Sequence, residues 1–411
     1  MARNAPSAAR HRTLVAATAC AACLSPALAG QAADPPPLAA ELQVNTQTEK
    51  VQQSAAVALD AEGAFVVVWQ SETEGSGDEI RARRFDPRGL PQGDEIAVNT
   101  VARGNQNLPA VAMDGRGGFV VAWQSLVAGN FAIRARLFGA RGAALGDEIP
   151  ITPETGDNHG AAAVAMDAGG NFVVAWETST KGSYEIRARR FAADGTVRGE
   201  ELAVNTVTAS SQRAPCVAMD ASGDFVLAWQ SNVAGSYELR ARRFSASGAA
   251  RGDELAVNAR TAGDQLVPAV AIDEDGDFVV AWENAADEMF EIRARRFTTA
   301  GVAQGVEFAI APNTAGEQFS PSLAMDVRGA FVVAWQSRVA GSHEIRARRF
   351  DARGAARSGE LAVNTNTAGT QKSAAVAMDA AGDFVVAWHG DAPGSWEIFA
   401  RRYPRRWRGP S

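Results

Sequence analysis

A ten-residue pattern, D-x-x-G-x-F-V-[VL]-[VA]-W, occurs seven times in the chain, ending at Trp69, Trp123, Trp176, Trp229, Trp282, Trp335 and Trp388. The Trp residues are spaced by 54 and then five times by 53 positions, which leaves no room for an inserted domain between residues 41 and 403. At 411 residues the chain is also too long for one ordinary core, because single cores stop growing near roughly 250–300 residues. A repeat array escapes that limit, since each unit need only bury itself against its neighbours.

The fourth copy shows what a unit contains. Four strand-like runs, A to D, are expected at Ala214 to Met219, Asp224 to Trp229, Glu238 to Phe244 and Glu254 to Asn258. Between A and B lies Asp220-Ala221-Ser222-Gly223, where Asp can cap a type I turn and Gly accepts the positive φ that closes a tight hairpin. Strand B is apolar on both faces, with Phe225, Leu227 and Trp229 pointing one way and Val226 and Ala228 the other. Such a strand needs a neighbour on each side. Stacked four-stranded units of this length form either a solenoid or a β-propeller. The ends of the array decide between them. An isolated D-type strand, Glu41 to Asn45, precedes the first A strand, and the last unit stops after a C-type strand, Glu397 to Tyr403. Each end carries what the other lacks, so the expected fold is all-β, a seven-bladed propeller whose N-terminal strand completes the last blade.

Ahead of the array, Arg3, Arg10 and Arg12 precede an apolar stretch from Leu14 to Leu24 and then Ala27-Leu28-Ala29. This reads as a secretory signal peptide over residues 1–29, cleaved after Ala29, followed by a linker over 30–40 that includes Asp34-Pro35-Pro36-Pro37. The destination is the periplasm or the exterior. Cys20 and Cys23 raise the alternative of lipid attachment, but Ala17 and Cys20, three residues before each, match a lipobox poorly. Beyond the signal only Cys216 remains, so no internal disulfide is possible, and its place in an A strand suggests a buried, inert thiol. The apolar stretch is too short to span a bilayer and no later one is longer, so no transmembrane segment is expected. Residues 404–411 form a basic tail with Arg405, Arg406 and Arg408.

The repeated runs D-x-x-G-x-F-V-V-x-W, E-I-R-A-R-R-F and E-L-A-V-N-T resemble a repeat of exported bacterial proteins, some of which also carry calcium-binding nonapeptides or cadherin-like modules. The resemblance spans residues 41 to 403 and implies an exported propeller. The family is largely uncharacterised, so no activity follows from it. This chain has no G-G-x-G-x-D nonapeptide.

Charge and motif content narrow the function. Removing the signal leaves 37 basic against 47 acidic residues, a balance of −10 that offers nucleic acid no overall attraction. No G-x-S-x-G, H-E-x-x-H or Cys-pair motif is present, and no cofactor is implied. The seven turn Asp residues (Asp60, Asp114, Asp167, Asp220, Asp273, Asp326, Asp379) read as caps; Asp273, Asp275 and Asp277 alone concentrate enough carboxylate to make a weak calcium candidate. The Arg-rich C strands read as cross-strand partners of acids opening the D strands. Gln and Asn recurring around the D to A links, with His159 in the third copy, read as partners for link backbone.

The binding candidates are Phe131, Tyr184, Tyr237, Phe290, His343 and Trp396, which occupy one equivalent position just before strand C; the first copy has Asp78 there. In a propeller the B–C and D–A connections share one face, expected to carry the longer, more variable loops. The leading reading is a monomeric binding scaffold that presents this face to a glycan, a peptide or an envelope protein. The alternatives are a propeller-type enzyme acting on a polysaccharide or related polymer, and a structural envelope component.

Overall fold

The computed structural model describes residues 40–404, apart from 74, 76, 102–103, 155, 181, 234, 287–288, 313–315, 340, 368 and 393–394. The signal segment with Cys20 and Cys23, nearly all of the linker, and the tail beyond residue 404 lie outside the described residues. Among the described residues there is no helix, hence none long and apolar enough to cross a membrane.

Seven four-stranded antiparallel sheets follow one another, each in the order A–B–C–D. Consecutive A strands adjoin, and the first, Gln52–Leu59, adjoins the last, Gln371–Met378, so the A strands form the inner wall of a closed ring. In the fourth blade the strands run Gln212–Met219, Phe225–Val233, Ser236–Phe244 and Leu255–Ala256. Strands B and C are longer than the sequence suggests and D is shorter. The D ladder ends early because Asn258 takes over as acceptor: its Oδ1 receives Leu239 N at 2.8 Å, and its Nδ2 donates to Arg260 O. Asn45, Asn99, Asn205 and Asn364 act in the same way, and the Thr152 hydroxyl accepts Ile133 N in the second blade.

The ring closes as the chain ends require. Leu42 pairs with Ala400 and Gln43 with Phe399, Val44 N donates to Ile398 O at 2.8 Å, and Ile398 N donates to Asn45 Oδ1 at 2.8 Å. The N-terminal strand is therefore the outer strand of the last blade.

Each apolar core lies in the seam between two blades. Phe225, Leu227 and Trp229 pack against Val173, Ala175, Ile186 and Val204 of the preceding blade, whereas Val226 and Ala228 pack into the next seam with Phe278, Val280 and Trp282. The seam joining last blade to first is built alike, from Val385, Ala387, Ile398 and Val44 against Phe65, Val67 and Trp69.

Polar contacts cross every seam as well. The Arg two residues before the aromatic that closes strand C (Arg83, Arg136, Arg189, Arg242, Arg295, Arg348, Arg401) donates from Nη1 to the carbonyl of the residue just past strand D of the preceding blade, at 2.7–3.0 Å. Cross-strand acids explain only part of the Arg content, as in Arg134–Glu148 and Arg189–Glu201. Several first Arg residues instead pair within their own strand, as in Arg81–Glu79 and Arg346–Glu344.

The buried Trp indoles are satisfied by the Gln that opens strand A. In five blades Trp Nε1 donates to its Oε1 at 2.7–2.9 Å. Two blades break the rule for identifiable reasons. His159 replaces that Gln in the third, leaving Trp176 Nε1 without a protein acceptor. In the fifth blade Ala311 stands where Asn is usual, so Ile292 N and Ala311 O are met by Gln318 Oε1 and Nε2, and Trp335 Nε1 loses its acceptor.

Deleting Glu41 to Asn45 should expose the edge of Ser395–Tyr403 and lower the melting temperature by well over about 10 °C in a calorimetric scan, with aggregation. Ala311→Asn should release Gln318 to Trp335 and stabilise the protein by about 1 kcal/mol in denaturant titration. No gain there would mean that the Gln318 amide does not move.

Candidate functional site

The face carrying the B–C and D–A connections differs from the sequence expectation. Six of the seven B–C connections are two-residue hairpins, as at Val127 and Asn130, which flank Ala128 (φ 50°) and Gly129 (φ 89°). Both central residues are left-handed, as a type I′ turn requires. The C–D links on the opposite face are the longest, as in the ten residues between Phe85 and Ile96, while the D–A links on the hairpin face span eight, as between Ala97 and Gln106. The candidate aromatics thus stand on rigid hairpins rather than on variable loops.

All six candidates are half-buried. The structure brings them together with a second set of residues, which follow the opening Gln or His of strand A: Gln53, Asn107, Gly160, Arg213, Leu266, Phe319 and Lys372. Phe319 lies 5.0 Å from Phe290 and 5.8 Å from His343, linking the fifth and sixth blades. The Arg213 guanidinium lies 4.1 Å over the Tyr184 ring and pairs with Glu177 at 3.0 Å. Lys372 Nζ lies 5.5 Å from the Trp396 ring, whose other neighbour is His389, edge-on at 5.1 Å. Tyr237 is fixed through its amide to Asp264 Oδ1, and Phe131 through its amide to Asn158 Oδ1. In the first blade Asp78 accepts from Gln70. Sequence reasoning missed Arg213, Phe319 and Lys372, and saw in His389 only a departure from the repeat beside Trp396. The signal available was variation at a single repeat position beside an invariant-looking Gln.

That position is set by a backbone feature. The next residue in every A strand (Ser54, Leu108, Ala161, Ala214, Val267, Ser320, Ser373) has φ between 47° and 56°, at a bulge in the A–B pairing. Left-handed backbone strains a non-Gly residue. It also turns the amide out of the ladder, and in five blades that N–H meets the side chain following Trp in the preceding blade: Gln70, Gln124, Glu177, Gln230 or Glu283. At the closing seam the acceptor is His389, whose Nδ1 receives Ser54 N at 3.2 Å.

His389 can accept only while neutral, and burial, reinforced by Lys372, pushes its pKa down to about 4. His343 is also held below the ordinary imidazole range, by burial and then by Lys372 and Arg338. The buried His159 is lowered too, by burial. Cys216 lies outside this face. Its Sγ contacts Ala228 O at 3.5 Å, and although the residue as a whole is half-buried, enclosure of the sulfur pushes the thiol up to about 12. A thiol held that high stays protonated near neutral pH.

Asp273, Asp275 and Asp277 do not gather as a calcium site. Asp273 Oδ1 accepts Asp275 N and Asp277 N as a turn cap, while Asp277 accepts Thr299 N and Gln304 Nε2. The other six turn Asp residues cap their hairpins alike, and among the described residues no three acidic, His or Cys side chains converge as metal ligands.

The closed ring of seven four-stranded sheets is that of a seven-bladed β-propeller. No protein-family model and no curated protein matches the sequence. Solved structures match the fold at low identity. One, described as an ulvan lyase of a polysaccharide lyase family, PL25, aligns with TM-score 0.59 at 10% identity, over 88% of this chain and 95% of its own. A protein of unknown function from Dyadobacter fermentans aligns with TM-score 0.54 at 11% identity, over 89% and 98%. A GH93 α-L-arabinofuranosidase of Fusarium graminearum, in complex with arabinobiose, aligns with TM-score 0.53 at 10% identity, over 76% and 98%.

His389 sets a pH dependence with a definite sign. Its folded pKa lies below the unfolded value, so the unfolded chain binds the extra proton and stability falls as pH drops from about 6.5 to about 4. The loss reaches about 3 kcal/mol for His389, with His159 adding in the same direction. His389→Gln, which installs the residue found at the equivalent position of four other blades, should flatten that part of the profile. Denaturant midpoints measured across this pH range check it, and an unchanged slope in the variant would count against a buried, neutral His389.

Proposed function

We propose that this chain is an exported, polysaccharide-active propeller, and that the polymer lies along the hairpin-face arc of Tyr184, Tyr237, Phe290, Phe319, His343 and Trp396. The observation that carries this reading is the arc itself: half-buried aromatic rings held by tight hairpins in consecutive blades. Flat apolar faces of this kind suit sugar rings, and tight hairpins lower the cost of ordering them on binding. Two of the propellers of like fold are described as acting on polysaccharide or bearing an arabinose disaccharide, which supports the same class of ligand. Export rests on the basic, apolar and small-x-small order of the first 29 residues. His343 is neutral near pH 7 and half-buried in the arc, which makes it the candidate proton acceptor there.

The test is a panel of plant and algal polysaccharides, scored in parallel for binding and for new reducing or unsaturated ends. Trp396→Ala should weaken binding about tenfold or more while moving the melting temperature by no more than about 2 °C. His343→Ala should abolish product and leave binding nearly intact. Binding without product would favour the scaffold reading, and a variant that unfolds with unchanged affinity in its folded fraction would make Trp396 structural.

A further inference from the structure

The hairpin face carries two cations at the variable A-strand position, and the blades treat them differently. Arg213 is neutralised, because Glu177 of the preceding blade pairs with it. The residue equivalent to Glu177 for Lys372 is Gln336, which carries no charge. Among the described residues no carboxylate stands within ion-pair distance of Lys372, and its neighbours are the Trp396 ring and the cross-strand His389. Asp391, the cross-strand partner of Trp396, is exposed to solvent. In a protein with 47 acidic residues, the cation of a half-buried lysine with no carboxylate paired to it marks a place where an anion is favoured.

The backbone adds a second donor at the same spot. Six bulge amides donate to a side chain of the neighbouring blade, at Ser54, Leu108, Ala161, Ala214, Val267 and Ser320. The seventh, Ser373 N, immediately follows Lys372 and has no side-chain acceptor among the described residues. Its left-handed φ of 52° turns the N–H out of the ladder as in the other six. A cation and a turned-out N–H on adjacent residues, beside an aromatic face, are the parts needed to hold a sugar by its ring and its acidic group together.

We infer that the polysaccharide is anionic and that a carboxylate or sulfate of the polymer sits on Lys372 and Ser373 N, with the sugar ring on Trp396. This rests on the polysaccharide reading above and narrows it to acidic polymers. The partly buried setting makes the contact charge-assisted and sensitive to ionic strength.

Affinity electrophoresis and calorimetry on the purified full chain, at low and high salt, test it with polygalacturonate, chondroitin sulfate, neutral arabinan and neutral xyloglucan. The expected result is tighter binding of one or both acidic polymers, weakened by salt and about tenfold or more by Lys372→Gln, and retained by Lys372→Arg. Arg116→Gln, an equal charge change at an exposed A–B turn on the opposite face, should leave binding unchanged. Competition on the unaltered protein by free galacturonate and by inorganic sulfate tells the two acid groups apart and needs no variant to fold. Neutral polymers bound as tightly as acidic ones, or acidic binding untouched by Lys372→Gln, would overturn the anion seat and leave the polysaccharide reading standing. An equal loss in Arg116→Gln would reduce the effect to net charge and also overturn it. Failure of all four polymers to bind would overturn both.

Discussion

A blade whose second strand is apolar on both faces has no stable existence alone, and that constraint organises the molecule. Val226 and Phe225 are adjacent in sequence yet belong to different cores, one on each side of their blade. Burial is complete only when every blade has two neighbours, and in a finite array only a closed ring provides that. The N-terminal strand supplies the closing contact, and Val44 enters the last seam as Val204 and Val257 enter theirs. Polar groups follow the same geometry, because the seven Arg–carbonyl bonds and six of the seven bulge amides run from one blade to the next.

How much of this was legible in the sequence depended on whether a contact is written in side chains. Strand B, the turn Asp and the missing outer strand of the last blade are patterns of residue type, so the periodicity exposes them. The Arg contacts were opaque because their acceptors are main-chain carbonyls, such as Val204 O and Val257 O, which every residue possesses. The apparent Arg–Glu complementarity of strands C and D offered a plausible but incomplete partner. The B–C connections misled for a related reason: Val233, Ala234 and Gly235 read as loop by composition, whereas the ladder runs on to Val233 and Ser236. Left-handed φ at Ala214 or Val267 had no warning at all, since neither residue type favours it.

The candidate site occupies positions that the scaffold leaves open. The residue following the opening Gln of strand A carries no shared structural bond, so it can be Gly160 in one blade, Phe319 in another and Lys372 in a third without disturbing a seam. Its neighbour on strand C is held by a hairpin whatever its side chain. Rigid backbone with free choice of side chain is a sound basis for a binding surface, because recognition can vary while the ring does not. The asymmetry is concentrated in the fifth to seventh blades, where Phe290, Phe319, His343, Lys372 and Trp396 succeed one another.

The exchange of roles between Ala311 and Gln318 bears on how such an array can change over generations. Loss of an amide in the fifth blade is made good by one borrowed from the sixth, at the expense of Trp335. Each copy therefore holds obligations to the next, and a substitution tolerated in one setting is harmful in another according to what the adjacent copy can lend. Copies bound in this way diverge in neighbouring pairs rather than singly, and the effects of mutations on either side of a seam combine non-additively even when the residues are far apart in the chain.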